Sequence, residues 1–213
     1  LSKYRLRTDL IIENNDIVNE SVYVEYEEEL VIKYNIDGGV NYVYSANKRL
    51  SEQGGYTITI TDLAGQVFKY SFYLDSSLAF GVIIDGQTIK DFSQKSIGKR
   101  YLELSINENM TVVYSINNGK DINLSESLVR FTEEGEYVFS LVDVAGNMQT
   151  LIFELDNTAP NISIDTDSIT KSDVVLTVAD INDIEKYTVK KDGYKLPKYV
   201  LEKINIFTEE GSY

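Results

Sequence analysis

Oxygen is the donor atom this chain has in quantity. Its 213 residues carry 34 acidic side chains against 20 basic ones, for a formal net charge of −14. Histidine and cysteine are both absent. That excludes histidine-dependent triads, ordinary zinc sites and disulfides, and leaves carboxylate, amide, amine and phenol chemistry. Asp143 and Asn147 bracket one turn. If that turn sits at the entry end of a folded unit, both approach Asp75, and Asp156 approaches Asp180, Asn182 and Asp183 in the same way. Oxygen sets of that kind suit calcium, which takes six to eight of them. The same residues equally cap turns by accepting backbone N–H bonds, and no DxDxDG loop is present.

Three other chemistries can be weighed on residue type. A self-formed Lys–Asn isopeptide bond needs lysine, asparagine and a buried carboxylate packed together, and each lysine here has a plausible exposed position. Glycoside hydrolysis needs two carboxylates opposed across a cleft, whereas acidic runs such as Glu27-Glu28-Glu29 read as solvent-facing. Tyr23, Tyr26, Tyr34, Tyr42 and Tyr44 are spaced so as to stack on sugars, or simply to pack on alternating strands. None of these assigns a catalytic, cofactor-binding or metal residue. The chain is expected to be non-enzymatic and to need no cofactor.

The elements that would position these groups are repeated. Phe131 to Asp156 reads as a strand, a tight turn at Asp143-Val144-Ala145-Gly146-Asn147, and a returning strand. Leu50 to Asp75 says the same thing earlier: Tyr56 and Tyr137, Asp62 and Asp143, Gly65 and Gly146, Phe72 and Phe153, and Asp75 and Asp156 all stand 81 apart. FTEEGSY, Phe207 to Tyr213, matches FTEEGEY, Phe131 to Tyr137, at six of seven positions. A period near 80 is too long for one solenoid repeat and suits a small module. The expected units are 1–75, 76–156 and 157–213, the third lacking its last two strands.

Two prolines, 16 tyrosines and many Val, Ile and Thr favour strands. In unit one the expected strands are Tyr4 to Ile12, Ser21 to Tyr26, Leu30 to Ile36 and Val40 to Tyr44, followed by the hairpin; Val22 and Val24 share one face. In unit two, Ala79 to Ile84 is followed by the turn Asp85-Gly86 and a polar connection, Gln87 to Arg100. Then come strands at Tyr101 to Ser105, Met110 to Ile116 and Ser127 to Phe131. Asn118-Gly119 stands 81 residues after Asp37-Gly38 and is read as the same turn. In unit three Ile162 and Ile164 alternate, Val174 to Val178 and Ile184 to Val189 read as strands, and Asp192-Gly193 turns. About seven short strands per unit imply an all-β fold of antiparallel two-sheet sandwiches, arranged like beads on a rod.

The residues Gly54-Gly55-Tyr56, Asp62-Leu63-Ala64-Gly65-Gln66, Phe72 and Asp75 resemble the closing hairpin of bacterial immunoglobulin-like (Big-type) domains. So do Gly135-Glu136-Tyr137, Asp143 to Asn147, Phe153 and Asp156. The linker Asp156-Asn157-Thr158-Ala159-Pro160 is similar to the joint that opens the next such domain. Gln66 departs from the pattern, where asparagine is usual. The resemblance implies tandem extracellular modules of a bacterial cell-surface or secreted protein, acting as a structural or adhesive stalk. A carbohydrate- or protein-binding module, accessory to a large secreted enzyme, is the alternative. Tyr56 and Tyr137 are expected to form tyrosine corners. The expected partners are the neighbouring modules, with a host protein or glycan beyond them. The acidic surface disfavours nucleic acid, and no apolar run approaches the ~20 residues of a membrane span. The chain starts and stops mid-pattern, so missing targeting signals carry no information.

Overall fold

The computed structural model describes residues 4–7, 11–26, 30–165, 174–179, 190–191, 194–195 and 204–207. Among them all regular structure is β-strand. The first set is β1 (Tyr4–Arg7), β2 (Ile17–Val18), β3 (Tyr23–Tyr26), β4 (Val31–Ile36), β5 (Tyr42–Val43), β6 (Gly54–Thr61) and β7 (Val67–Leu74). One sheet has the order β2-β7-β6-β4-β5. The other pairs β1 with β3, and Leu50 bridges to Val22 beside them. Alternation decides which side chains face inward. Along β6 the glycine at 54, Tyr56, Ile58 and Ile60 are buried, while Gly55 and the threonines between are half-exposed. Val22 and Val24 point into the core, and Glu25 points out, as the sequence predicts. Leu6, Val22, Val24 and Leu50 from one sheet meet Ile32, Tyr34, Tyr56, Ile58, Phe72 and Leu74 from the other in a single cluster.

The second set is β8 (Phe80–Ile84), β9 (Gln87–Ile89), β10 (Ser96–Gly98), β11 (Leu102–Ile106), β12 (Met110–Ile116), β13 (Ile122–Leu124), β14 (Leu128–Phe131), β15 (Gly135–Asp143) and β16 (Met148–Leu155). Its sheets run β14-β11-β8-β9 and β10-β16-β15-β12-β13. They enclose a second, separate cluster built on Val82, Leu102, Leu104, Phe139, Leu141, Leu151 and Phe153. The opening segment is shared between sheets. β8 pairs with β11 antiparallel, then the chain crosses over and β10 runs parallel to β16. In the first sandwich β2 runs parallel to β7 in the same way. Two facing sheets with this strand order are immunoglobulin-like sandwiches.

The stretch Gln87 to Arg100, read from sequence as a polar connection, contains two strands. Asp85 and Gly86 both have positive φ, 52° and 88°. That is the backbone a two-residue hairpin requires, so β9 folds straight back on β8. The Asp85 carboxylate then accepts the backbone N–H groups of Lys99, Arg100 and Tyr101 at 2.7, 2.8 and 3.2 Å. Desolvation pushes that carboxyl's pKa up, but the three bonds together outweigh it and hold the group below the usual carboxylate range.

The third set is β17 (Asn161–Ile164), β18 (Val174–Ala179), β19 (Lys190–Lys191), β20 (Tyr194–Lys195) and β21 (Ile204–Phe207). The antiparallel order β17-β18-β21 matches β8-β11-β14 of the preceding sandwich. The strand expected at Ile184 to Val189 and the turn at Asp192-Gly193 lie outside the described residues.

The two complete sandwiches share one closing device. Tyr56 donates its hydroxyl to the Glu52 carbonyl at 2.8 Å, and Tyr137 donates to Glu133 at 2.8 Å. Both rings are buried, so the phenol is satisfied four residues back while the ring fills the core. The glycines two residues earlier, Gly54 and Gly135, have φ of 146° and 147°. A Cβ at Gly135 would stand 2.6 Å from the Asn117 side chain, and one at Gly54 2.7 Å from Ile36 Cγ2. Glycine is required there on both counts.

Candidate functional site

Each hairpin turn is closed by its first aspartate. In the second sandwich Asn147 N–H donates to Asp143 Oδ1 at 2.8 Å, and Gly146 N–H donates to the Asp143 carbonyl at 3.3 Å. In the first, Gln66 N–H donates to Asp62 Oδ1 at 2.8 Å, and Gly65 N–H to the Asp62 carbonyl at 3.0 Å. Gly65 and Gly146 hold φ of 79° and 89°. The turn prediction therefore holds at the level of individual bonds.

The β15–β16 turn meets the exit of the first sandwich. Asp75 follows β7 directly, and its own N–H donates to the Val18 carbonyl at 2.9 Å. Its carboxylate accepts from Gln53 Nε2 at 3.1 Å and from Ser77 N–H at 3.4 Å. Asn147 Nδ2 reaches the Asp75 carbonyl at 2.9 Å and also Asp143 Oδ2 at 2.7 Å. Glu108, on the β11–β12 turn, accepts the Ala79 N–H at 2.5 Å. One carboxylate oxygen each from Asp75, Glu108 and Asp143 lie within 4.8 Å of one another. Asp75 and Asp143 are buried, and Glu108 is half-buried.

The sequence brings Asp75, Asp143 and Asn147 together correctly. It does not single out Glu108, whose only signal is its place in the polar turn Asn107-Glu108-Asn109. Three carboxylates are the hard-oxygen donor type that calcium prefers, though fewer than the six to eight oxygens it takes. Asn147 presents its amide nitrogen, a donor, to this cluster. Together with Gln53 and Ser77, it gives Asp75 and Asp143 hydrogen-bond donors from the protein itself.

At the second boundary Asp156 N–H donates to the Gly98 carbonyl at 2.9 Å, and Thr158 N–H donates to Asp156 Oδ1 at 3.2 Å. The Thr158 hydroxyl also bonds Glu134. This repeats Asp75, Ser77 and Gln53, where Ser77 Oγ donates to Gln53 Oε1 at 2.9 Å. Asp180, Asn182 and Asp183 lie outside the described residues.

The remaining candidates resolve into packing. Tyr34 and Tyr44 are core residues, 5% and 4% exposed, and Tyr26 packs against the same cluster. The Tyr44 hydroxyl accepts the Val24 N–H at 2.9 Å and donates to the Lys48 carbonyl, which lets its polar tip be buried. Tyr23 lies under the Arg49 guanidinium, 5.3 Å from ring centroid to Cζ. Of the five tyrosines considered for sugar stacking, only Tyr42 is exposed, and its ring leans on Tyr34. Among the described residues, side-chain hydrogen bonds and ion pairs of lysine go to Tyr34, Glu136 and Glu154, and none to asparagine. Lys95 bridges Glu154 and Glu136, a cross-strand pair on the outer face of the β15–β16 ribbon. Its hydrogen bond to Glu154, then that to Glu136, raises its pKa and keeps the amine protonated and non-nucleophilic. Glu27-Glu28-Glu29 falls outside the described residues.

No protein-family model and no curated protein sequence matches the chain. Solved structures similar to it include the following two. One is the complex of Dpr2 Ig1-Ig2 with DIP-Theta Ig1-Ig3, at 12% identity over 92% of this chain and 82% of that one, with a TM-score of 0.32. The other is the Bacteroides ovatus mixed-linkage glucan utilization locus protein SGBP-B with a mixed-linkage heptasaccharide, at 14% identity, with a TM-score of 0.22. That match covers 97% of this chain, which spans 60% of the other. At such identities and TM-scores the assignment of an immunoglobulin-like sandwich fold rests on the strand order and register described above.

Proposed function

We propose that the chain is a non-catalytic run of immunoglobulin-like modules, 1–75, 76–156 and 157–213, serving as a stalk or spacer in a bacterial cell-surface or secreted protein. The observation that carries this reading is the first boundary. β7 ends at Leu74 and β8 begins at Phe80, and the short link between them is bonded at Asp75, Ser77 and Ala79. Each sandwich has its own core, so the pair behaves as two bodies with little slack between them. The module's partners in this reading are its neighbours along the same chain, and any host protein or glycan is met by other parts of the parent protein. No residue is given a catalytic, metal or cofactor role. Small-angle scattering of the purified chain tests it: an elongated particle is expected, and a compact globule would overturn the reading.

A further inference from the structure

The Asn147 side chain does something that the turn it belongs to does not need. Its backbone N–H already closes the turn on Asp143 Oδ1. The carboxamide is left to meet two acceptors, Asp143 Oδ2 within its own sandwich and the Asp75 carbonyl of the preceding one. Because both neighbours are acceptors, the amide nitrogen must face them, with one hydrogen for each. The bond to Asp75 joins residues 72 apart and crosses the boundary. It lands on the main chain at the point where the first sandwich ends. Beside it the turn backbone lies close to that sandwich, since a Cβ at Gly146 would stand 3.4 Å from Asn19 Nδ2.

The first sandwich supplies a natural control. Its matching turn has Gln66 in place of Asn147, with the same backbone bonds. The Gln66 side chain makes no hydrogen bond among the described residues. The turn therefore forms without any carboxamide contact, so the Asn147 side chain is free for another use. The surroundings also make it necessary. The three carboxylates gathered within 4.8 Å at this boundary repel one another, and domains joined through polar contacts move relative to one another by default.

From this geometry we infer that Asn147 is an inter-module clasp: a positioning residue that fixes the angle between the first two sandwiches by tying the β15–β16 turn to the Asp75 carbonyl. This rests on the proposed stalk reading and specifies which side chain gives that stalk its stiffness.

The chain has no cysteine, so two can be introduced for spin labels without interference. Lys33→Cys and Ser140→Cys fall at exposed positions within strands of the first and second sandwich, and neither residue belongs to the boundary cluster. Pulsed electron resonance on the full chain then reads the spread of the distance between them. The parent is expected to give a narrow distribution, and Asn147→Ala one roughly twice as broad, as the junction reverts to free domain motion. Asn147→Ser keeps a donor for Asp143 but is too short to reach Asp75, so it should broaden the distribution equally even if the alanine variant folds poorly. Asn147→Asp adds a fourth carboxylate, and its broadening should shrink as salt is raised toward ~1 M, where screening acts within about 3 Å. A narrow parent with equally narrow Asn147→Ala and Asn147→Ser variants overturns the clasp and leaves the stalk reading standing. A broad parent distribution overturns both.

Discussion

The two complete sandwiches share a skeleton and differ in what hangs on it. Tyr56 and Tyr137 make the same corner bond at the same length, and Gly54 and Gly135 adopt the same φ to within a degree. Asp62 and Asp143 close the same turn. One layer out, chemistry replaces identity. Gly55 and Tyr73 face each other across the first ribbon, whereas Glu136 and Glu154 face each other across the second with Lys95 bridging them. Asp37 accepts the Gly55 N–H through a carboxylate at 2.7 Å, and Asn117 accepts the Glu136 N–H through an amide oxygen at 2.9 Å. Positions whose backbone angles or buried volume admit one residue type are kept. Positions that only need an acceptor, or a cover for the sheet, are free to change.

If the skeletons are equivalent, equal insults should cost them equally. Tyr56→Ala and Tyr137→Ala each remove a buried aromatic ring and are expected to destabilise their own sandwich by about 3–5 kcal/mol. Calorimetry resolving two transitions would show each variant moving one of them; a single shared loss would mean the cores are coupled.

A smaller difference should appear in alkali. Burial, then the nearby Glu133 charge, raises the Tyr137 phenol to about 12. An unfolded tyrosine ionises near 10. The raised value means its contribution is complete below about pH 10 and lost as the pH climbs through about 12. Tyr137→Phe should flatten that loss for the second sandwich and leave the first sloping, since Tyr44 and Tyr56 are raised there too, chiefly by burial. The phenylalanine variant should itself lose about 1 kcal/mol near neutrality with the corner bond. Identical alkaline profiles for parent and variant would count against this assignment. The smallest effect belongs to Asn117→Asp, which writes the first sandwich's acceptor into the second. Its melting temperature should stay within about 0.5 kcal/mol equivalent of the parent, and a large fall would show that the two acceptors are not interchangeable.

Long-range identity made the hairpins legible, because each residue of Tyr56, Asp62, Gly65 and Phe72 has one physical job and reappears where that job recurs. Alternation made Val22, Val24 and the β6 face legible. What escaped was non-periodic. β10 is three residues long and pairs with β16, far away in sequence, so no local pattern announces it. Tyr34 and Tyr44 looked available for stacking because a phenol is amphipathic; only the Val24 and Lys48 backbone partners of Tyr44 explain how its hydroxyl went inside. The alignment of Asp37-Gly38 with Asn118-Gly119 is off by one. Gly39 bonds Ile36 as Gly119 bonds Ile116, which makes Asn117 the counterpart of Asp37 at an offset of 80. The chain between Gly119 and Phe131 is one residue longer than that between Gly39 and Leu50, and a loop absorbs such an insertion without disturbing either strand. At the first boundary Asp75, Asp143 and Asn147 followed from topology, but Glu108 did not, since a lone acid in a polar turn carries no pattern.

The parallel seam in each sandwich has a mechanical corollary. Because β10 and β16 point the same way, tension on the two termini of that module slides one strand along the other. Their hydrogen bonds are then loaded side by side in shear and must yield together, whereas an end-on hairpin would unzip one rung at a time. The corresponding seam in the first sandwich pairs two residues of β2 with β7 and is lengthened by backbone bonds from Asn15 to the Ser71 carbonyl and from Tyr73 to the Asp16 carbonyl, which brings it level with the three pairs of the second. Single-molecule stretching should therefore show the two sandwiches rupturing at similar, shear-type forces; one of them giving way at the much lower force of an unzipping hairpin would mean that load travels by another route there.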